Sequence, residues 1–187
     1  MNPILIEVPE RLETERLLLR APRQSGDGAV VNAAIRDSFH ELREWLPFAQ
    51  TIPEVEETEI NLRQAHINFL NRDSFRFLIF LKNTNEYIGT TGLQGIDWDI
   101  PKGEIGYWIH TKFGGRGYMK EAVEAVMDLG IQTLGLRRVE IKCESTNHKS
   151  RAIPEKLGFS LEGILKNEDL SADGKRITDT CVYAVTN

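Results

Sequence analysis

The stretch Phe113-Gly114-Gly115-Arg116-Gly117-Tyr118-Met119-Lys120-Glu121-Ala122 joins two sequence patterns of different period. Before it, Glu104-Ile105-Gly106-Tyr107-Trp108-Ile109 is rich in β-branched and aromatic residues and predicts a strand. After it, Met119, Ala122, Val123, Val126, Gly130 and Leu134 recur at helical spacing, with Glu121, Glu124, Asp128 and Gln132 on the wet face. A strand that runs through three glycines and an arginine into a helix makes an anion site. The first N–H groups of the helix lack internal partners and lie at the positive end of its dipole. Glycine permits close approach to the backbone, and Arg116 can add a charge-assisted contact. A glycine-rich turn that needs only positive φ fits the same residues, and this stretch alone does not separate the two.

Working outward, Arg16–Arg20 predicts a first strand closed by Pro22, and residues 25–46 one or two short helices. Residues 1–14 read as a leader without an assigned element. Pro47 and Pro53 bracket a loop carrying Phe48. A helix over 53–70 follows, with Glu54, Glu56 and Glu57 in its first turn and Val55, Leu62, Ala65 and Phe69 as its buried stripe. Strands are predicted over 75–81, 87–98 and 104–110. Gly135 closes the central helix, and 137–143 is again a strand. A short helix over 147–157 and strands over 159–165 and 176–185 complete the chain. Three consecutive strands argue against a doubly wound sheet. With no repeat, low-complexity tract or linker, residues 1–187 are expected to form a single domain.

A net charge of −5 without any Lys/Arg run argues against nucleic-acid binding, and a mildly acidic protein suits a cationic substrate such as an amine. No apolar run approaches the length of about eighteen residues needed to span a bilayer, and no signal peptide is recognised, so a cytoplasmic protein without membrane attachment is expected. Cys143 and Cys181 lie in strand-like surroundings and read as buried small hydrophobes. His40, His66, His110 and His148 show no metal-ligand spacing, and no metal is expected.

Neither a G-x-x-x-x-G-K-[ST] nor a G-x-G-x-x-G motif is present. The glycine cluster instead resembles the acyl-coenzyme-A pyrophosphate loop of the GNAT acetyltransferase superfamily, R/Q-x-x-G-x-G/A. Aligned on Gly117, Gly114 and Met119 depart from that pattern at its two ends. A second block, Asn147-His148-Lys149-Ser150-Arg151-Ala152-Ile153-Pro154-Glu155-Lys156-Leu157-Gly158-Phe159, is similar to the superfamily's N-x-x-S…L-G-F block. The two blocks, their separation and the element order agree, from Thr14-Glu15-Arg16-Leu17 to the last strand. Arg43-Glu44-Trp45-Leu46-Pro47, Glu104–Trp108 and Arg138–Cys143 look like the branch of bacterial ribosomal-protein serine/alanine N-terminal acetyltransferases.

The resemblance implies an α+β GNAT fold: a mixed, mainly antiparallel twisted sheet splayed at its central strands, with acetyl-CoA in the opening. It implies that Gly114, Gly115, Arg116, Gly117, Tyr118 and Met119 hold the pyrophosphate, and that a backbone N–H among Tyr107, Trp108 and Ile109 polarises the thioester carbonyl. Ser150 takes the position of the thiolate's proton donor, and Asn147 that of a cofactor or substrate contact. Either residue type also favours a helix N-cap. Asp169, with Glu168 beside it, and Glu104 are the candidate general bases; a solvated surface carboxylate is the plain reading of each. Trp45, Phe48 and Trp98 are candidate walls of the substrate groove, or ordinary core. Acetyl transfer to a ribosomal-protein N-terminal amine in a ternary complex is the expected function. Alternatives are a small-amine acetyltransferase and a catalytically silent CoA-binding module. A homodimer is a family-level expectation.

Overall fold

The strand β3 (Phe75–Leu81) is buried along both faces, and the sheet is built out from it. Phe77 and Ile79 enter a large apolar core with Val123 and Val126. Leu78 and Phe80 enter a smaller one with Val31, Ile35 and Leu62. The structure, a computed structural model, describes residues 2–187. The remaining strands are β1 (Arg11–Glu13), β2 (Leu17–Arg20), β4 (Tyr87–Asp97), β5 (Lys102–Ile109), β6 (Arg138–Glu144), β7 (Ser160–Leu170) and β8 (Ile177–Thr186). They form one eight-stranded sheet in the order β1-β2-β3-β4-β5-β6-β8-β7. Every pairing is antiparallel except β5 with β6. The helices are α1 (Gly28–Asp37), α2 (Phe39–Trp45), α3 (Val55–Asn71), α4 (Tyr118–Asp128) and α5 (His148–Lys156).

The predicted elements are all present, with differences at their edges. The leader contributes β1, which pairs with β2. It is tied down by Arg72, whose Nε and Nη2 donate to the Ile6 carbonyl at 3.1 and 2.9 Å. Val55 leaves the expected stripe of α3 and is exposed, while Thr58 takes the buried position. This follows from a start set by a capping box between Glu54 and Glu57, which fixes the helical phase. The central helix stops being α-helical at Asp128 and continues as a π turn over Leu129–Thr133. There Gly130 faces Leu93, Leu136 and Val139, whose side-chain carbons would lie 3.3–3.4 Å from an added Cβ. β7 runs on to Leu170 because two register shifts against β8 break the alternation that marks a strand in sequence. Among the described residues, no helix is long and apolar enough to cross a membrane.

Gly92 in β4 is a close-packing glycine. A Cβ there would meet the Phe75 carbonyl oxygen at 2.2 Å. Gly92→Ala is therefore expected to cost about 1–3 kcal/mol, a fall in melting temperature of roughly 2–12 °C. Gly103→Ala, whose Cβ would meet only side-chain atoms at 3.3 Å or beyond, should lose less in the same thermal melt.

Candidate active site

β5 and β6 run parallel only over Lys102↔Arg138, Gly103↔Val139 and Glu104↔Glu140. β6 then stays with β8 as far as Glu144↔Thr180, so from Ile105 onward β5 has one edge without a strand. The His110 N–H donates to the Ile88 carbonyl on β4 at 2.8 Å. Because successive N–H groups point to opposite edges, Trp108 also faces β4, whereas Tyr107 and Ile109 aim their N–H groups into the opening. Of the three backbone candidates, two are thus presented to the splay, and Trp108 gives its indole to the other side.

The opening is bridged by hydroxyls. Tyr107 donates its OH to the Ser150 carbonyl at 2.9 Å and accepts from Ser150 Oγ at 3.1 Å. Ser150 lies in the first turn of α5, whose N-cap Asn147 accepts the Ser150 N–H on Oδ1 at 3.0 Å. Asn147 is a cap, as its residue type allowed, and by capping it fixes where Ser150 points. Burial pushes the Tyr107 hydroxyl well above its ordinary 10, against the pull of its hydrogen bond with Ser150. Burial likewise pushes the Cys143 thiol up to about 11. Both groups are protonated at neutral pH, so Cys143 is not a ready nucleophile.

The glycine loop delivers the N-terminus of α4 to the same region. Gly115 and Gly117 have φ of 75° and 79°, and Gly117 is the N-cap, without a side-chain cap on the first turn. Phe113 and Met119 anchor the loop in the core, and the Arg116 guanidinium stands over the Phe113 ring at 5.8 Å. Sequence reading missed what holds the loop from behind. Arg16 donates from Nε to Glu121 Oε2 at 2.6 Å and from Nη1 to the Arg116 carbonyl at 3.1 Å. Its guanidinium also covers the Tyr118 ring at 4.5 Å, and Thr14 Oγ1 donates to Glu121 Oε1 at 2.5 Å. Glu121, expected on the wet face, is half-buried in this network. The signal was an acid in the first turn of α4 and an Arg in the first strand, but their pairing spans 105 residues.

On the opposite face, a cavity of about 530 Å³ opens beside Gly106, Tyr107 and Trp108. Val31, Ile35, Leu62 and Phe48 wall it, with Arg76 and Gln94 among its polar groups. Trp108 stacks edge-on to Tyr87 at 6.0 Å and tilts against Phe48 at 6.4 Å. Of the three candidate groove aromatics, only Phe48 lines this cavity. Trp45 ends α2 outside the lining, and Trp98 packs on Phe75 and donates its indole N–H to the Arg72 carbonyl at 3.3 Å.

The candidate bases separate. Glu104 is the last paired residue at the apex of the splay, 3.4 Å from Gln94 Nε2 and 3.4 Å from Lys142 Nζ. Asp169 is exposed on the outer strand β7, where its Oδ1 accepts the Leu170 N–H at 2.7 Å. No hydrogen bond or ion pair among the described residues joins Asp169 or the exposed Glu168 to Tyr107, Ser150 or Glu104. No cluster of three His, Cys, Asp or Glu able to hold a metal occurs among the described residues.

Residues 16–160 match the family described as acetyltransferase (GNAT) domain. The chain belongs to the GNAT family. An uncharacterized N-acetyltransferase p20 of Bacillus licheniformis is 36% identical over 59% of this chain and 61% of its own length. The chain thus spans about three fifths of that relative. A ribosomal-protein-serine acetyltransferase of Escherichia coli is 29% identical over 75% of this chain and 78% of its own length. Among solved structures, RimL, a ribosomal L7/L12 α-N-protein acetyltransferase in complex with CoA, superposes with a TM-score of 0.85 at 24% identity, covering 96% of this chain and 97% of that one. The microcin C7 self-immunity acetyltransferase MccE, in complex with acetyl-CoA and AMP, gives 0.87 at 21%, over 96% and 98%. The mixed, mainly antiparallel sheet splayed between β5 and β6 is the GNAT fold.

The Glu121 network titrates. Burial, the largest influence, raises the Glu121 pKa, but hydrogen bonds from Thr14 and Arg16 and the Arg16 charge together hold it below its ordinary 4.5. A depressed folded-state pKa contributes stability that is complete above 4.5 and is lost as pH falls through the folded value. Glu121→Gln should therefore melt below the wild type near neutral pH, and the two melting curves should converge as pH falls below 4.5 through the lowered folded-state value. A constant gap across the titration would exclude this ion pair as the cause.

Proposed function

We propose that this chain is an acetyl-CoA-dependent N-acetyltransferase, a single domain acting on the N-terminal α-amine of a ribosomal protein by direct transfer. The observation that carries the reading is the edge vacated by β6, with the Tyr107 and Ile109 N–H groups aimed into it beside the Tyr107–Ser150 hydroxyl pair. In this reading the uncapped first turn of α4 and Gly114–Gly117 receive the pyrophosphate of acetyl-CoA, with Arg116 adjacent. One of the two N–H groups polarises the thioester carbonyl and stabilises the oxyanion that forms on attack.

The amine must arrive neutral, which costs little for an α-amine titrating near 7.7–8.0. Glu104, at the cavity edge through Gln94, takes that proton, through a water where the reach requires one. Asp169 keeps its candidacy on resemblance alone. As the new N–C bond forms and the C–S bond breaks, the leaving thiolate takes a proton from the Tyr107–Ser150 pair, the acylated nitrogen sheds its extra proton through Glu104 to solvent, and the pair is reprotonated from solvent. The high thiol pKa of Cys143 supports transfer without an acyl-enzyme.

The ribosomal substrate rests on the Escherichia coli relative and on the RimL neighbour. A small amine is the second reading. The cavity of about 530 Å³ is of a size that holds a small ligand. The MccE neighbour binds AMP as well as acetyl-CoA.

The test follows thiol release from acetyl-CoA. Acceptors are peptides with N-terminal Ser or Ala, the same peptides α-blocked but carrying lysine, and a panel of small amines. Release with free α-amines alone supports the ribosomal reading, and release with small amines alone replaces it by the second. Acetyl-CoA binding without turnover of any amine would leave a silent module. Ser150→Ala and Tyr107→Phe should each lower kcat by about 10²-fold or more, with little change in the KM for acetyl-CoA. Unchanged kcat in both variants would remove the pair from the chemistry. Gly117→Val should abolish acetyl-CoA binding, because a β-branched residue cannot hold φ of 79°.

A further inference from the structure

Arg76 sits in β3 on the face toward α3, and its side chain lines the cavity. Its Nη1 donates to Asn61 Oδ1 on α3 at 2.6 Å. No carboxylate lies within ion-pair distance of it among the described residues, unlike Arg16, Arg20, Arg36, Arg63, Arg138 and Arg151. Burial draws its pKa below the ordinary 12.5; a guanidinium nonetheless stays charged. A half-buried, unpaired charge is costly to keep, and the guanidinium carries five donors in a fork that fits a carboxylate or phosphate. The one acid lining the cavity, Glu57, is occupied: its Oε2 accepts the Glu54 N–H at 2.7 Å in the capping box of α3.

Sheet register places Arg76 in line with the splay across the cavity floor. Arg76 pairs with Gly92, and Gly92 with Gly106. Directly opposed residues project to the same face, so the row from Arg76 to β5 carries no side chain of its own at Gly92 or Gly106, and the Gln94 amide lies over Gly106, its Nε2 3.5 Å from where a Cβ would sit. Gly106 sits two strands over, about 10 Å from Arg76 across the sheet, and is followed directly by Tyr107. A molecule lying in this trough can therefore present an amine at the splay while its other end meets Arg76. Val31, Ile35, Leu62 and Trp108 supply apolar walls between the two ends.

We infer that Arg76 reads an anionic group, a carboxylate or phosphate, on the acceptor several bonds from its amine, so that the substrate class is an anion-bearing amine. This deepens, and rests on, the acetyl-transfer reading. It also reverses the expectation drawn from net charge, since a chain at −5 presents a cation where the acceptor lies.

The test compares acceptors matched but for the anion. They are N-terminal peptides with Asp or Glu against Asn or Gln at the second and third positions, ω-amino acids against their amides, and aminoalkyl phosphates against the alcohols. Wild-type kcat/KM should favour the anionic member of a pair by about tenfold to a hundredfold, as expected for one charge-assisted contact. Arg76→Met should lose that preference through KM with kcat nearly kept, and Arg76→Lys should retain part of it. Asn61→Ala removes the α3 contact without the charge; it should lower the melting temperature and leave the preference intact. Which pairs show the preference tells whether the anion belongs to a peptide side chain, a small acid or a phosphate. Equal kcat/KM for charged and neutral members, or a preference surviving Arg76→Met in folded protein, would overturn the inference. If no amine turns over, acetyl transfer itself fails. Calorimetry of the N-acetylated anionic and neutral compounds with CoA present then decides: anion-selective binding lost in Arg76→Met and partly kept in Arg76→Lys upholds the inference, and its absence in the wild type overturns it.

Discussion

The parting of β5 from β6 is the constraint on which the rest depends. The two strands share three residue pairs and then separate, because β6 is committed to β8 along its whole length. The apex is pinned where the Pro101 carbonyl accepts both the Arg137 and Arg138 N–H groups, at 2.7 and 3.2 Å. Just beyond it, Lys142 reaches both Glu104 and Glu140 at 3.4 and 3.3 Å. An unpaired strand edge inside a protein leaves backbone donors without partners unless something fills the gap. Here the gap is spanned on one side by the Tyr107–Ser150 hydrogen bonds and left open at the Tyr107 and Ile109 N–H groups.

Two helix N-termini flank that opening with different finishes. α5 is closed by Asn147, which satisfies the Ser150 N–H and so holds the serine toward Tyr107. α4 begins at a left-handed glycine with no side-chain cap on its first turn. What stops such a loop from collapsing lies in the first long strand: Arg16 holds the Arg116 carbonyl and Glu121 together. Charge is therefore distributed by role. Arg16 is paired and structural, whereas Arg76 has no ion-pair partner among the described residues and lines the cavity beside β5.

Much of this was legible in the residues. The glycine stretch between a β-branched strand and an amphipathic helix, and the Asn147–Phe159 block, set the element order and located both N-termini, because these are local patterns of period and capping. The buried stripe Met119, Ala122, Val123 and Val126 of α4 appears as read. Two readings failed for want of local signal. β1 is three residues long and is a strand only because β2 offers it an edge. Glu121 looks solvated until Arg16 arrives from far along the chain. Of the two readings open for Trp98, groove wall and ordinary core, its packing on Phe75 supports the core.

By itself, then, the sequence determined which segments are helices and strands, where positive φ is required, and which residue types could bind an anion or move a proton. Tertiary structure decided which of them meet. Tyr107 and Ser150 are 43 residues apart in the chain and in hydrogen-bond contact, whereas Asp169, equally suited by residue type, lies on the outer strand. It also decided that Arg76, one polar residue in an otherwise apolar strand, has no ion-pair partner among the described residues and lies in register with two glycines. Local pattern encodes conformation through short-range sterics and hydrogen bonding. The meeting of side chains across strands depends on register and on which edges are filled, and both are properties of the assembled sheet.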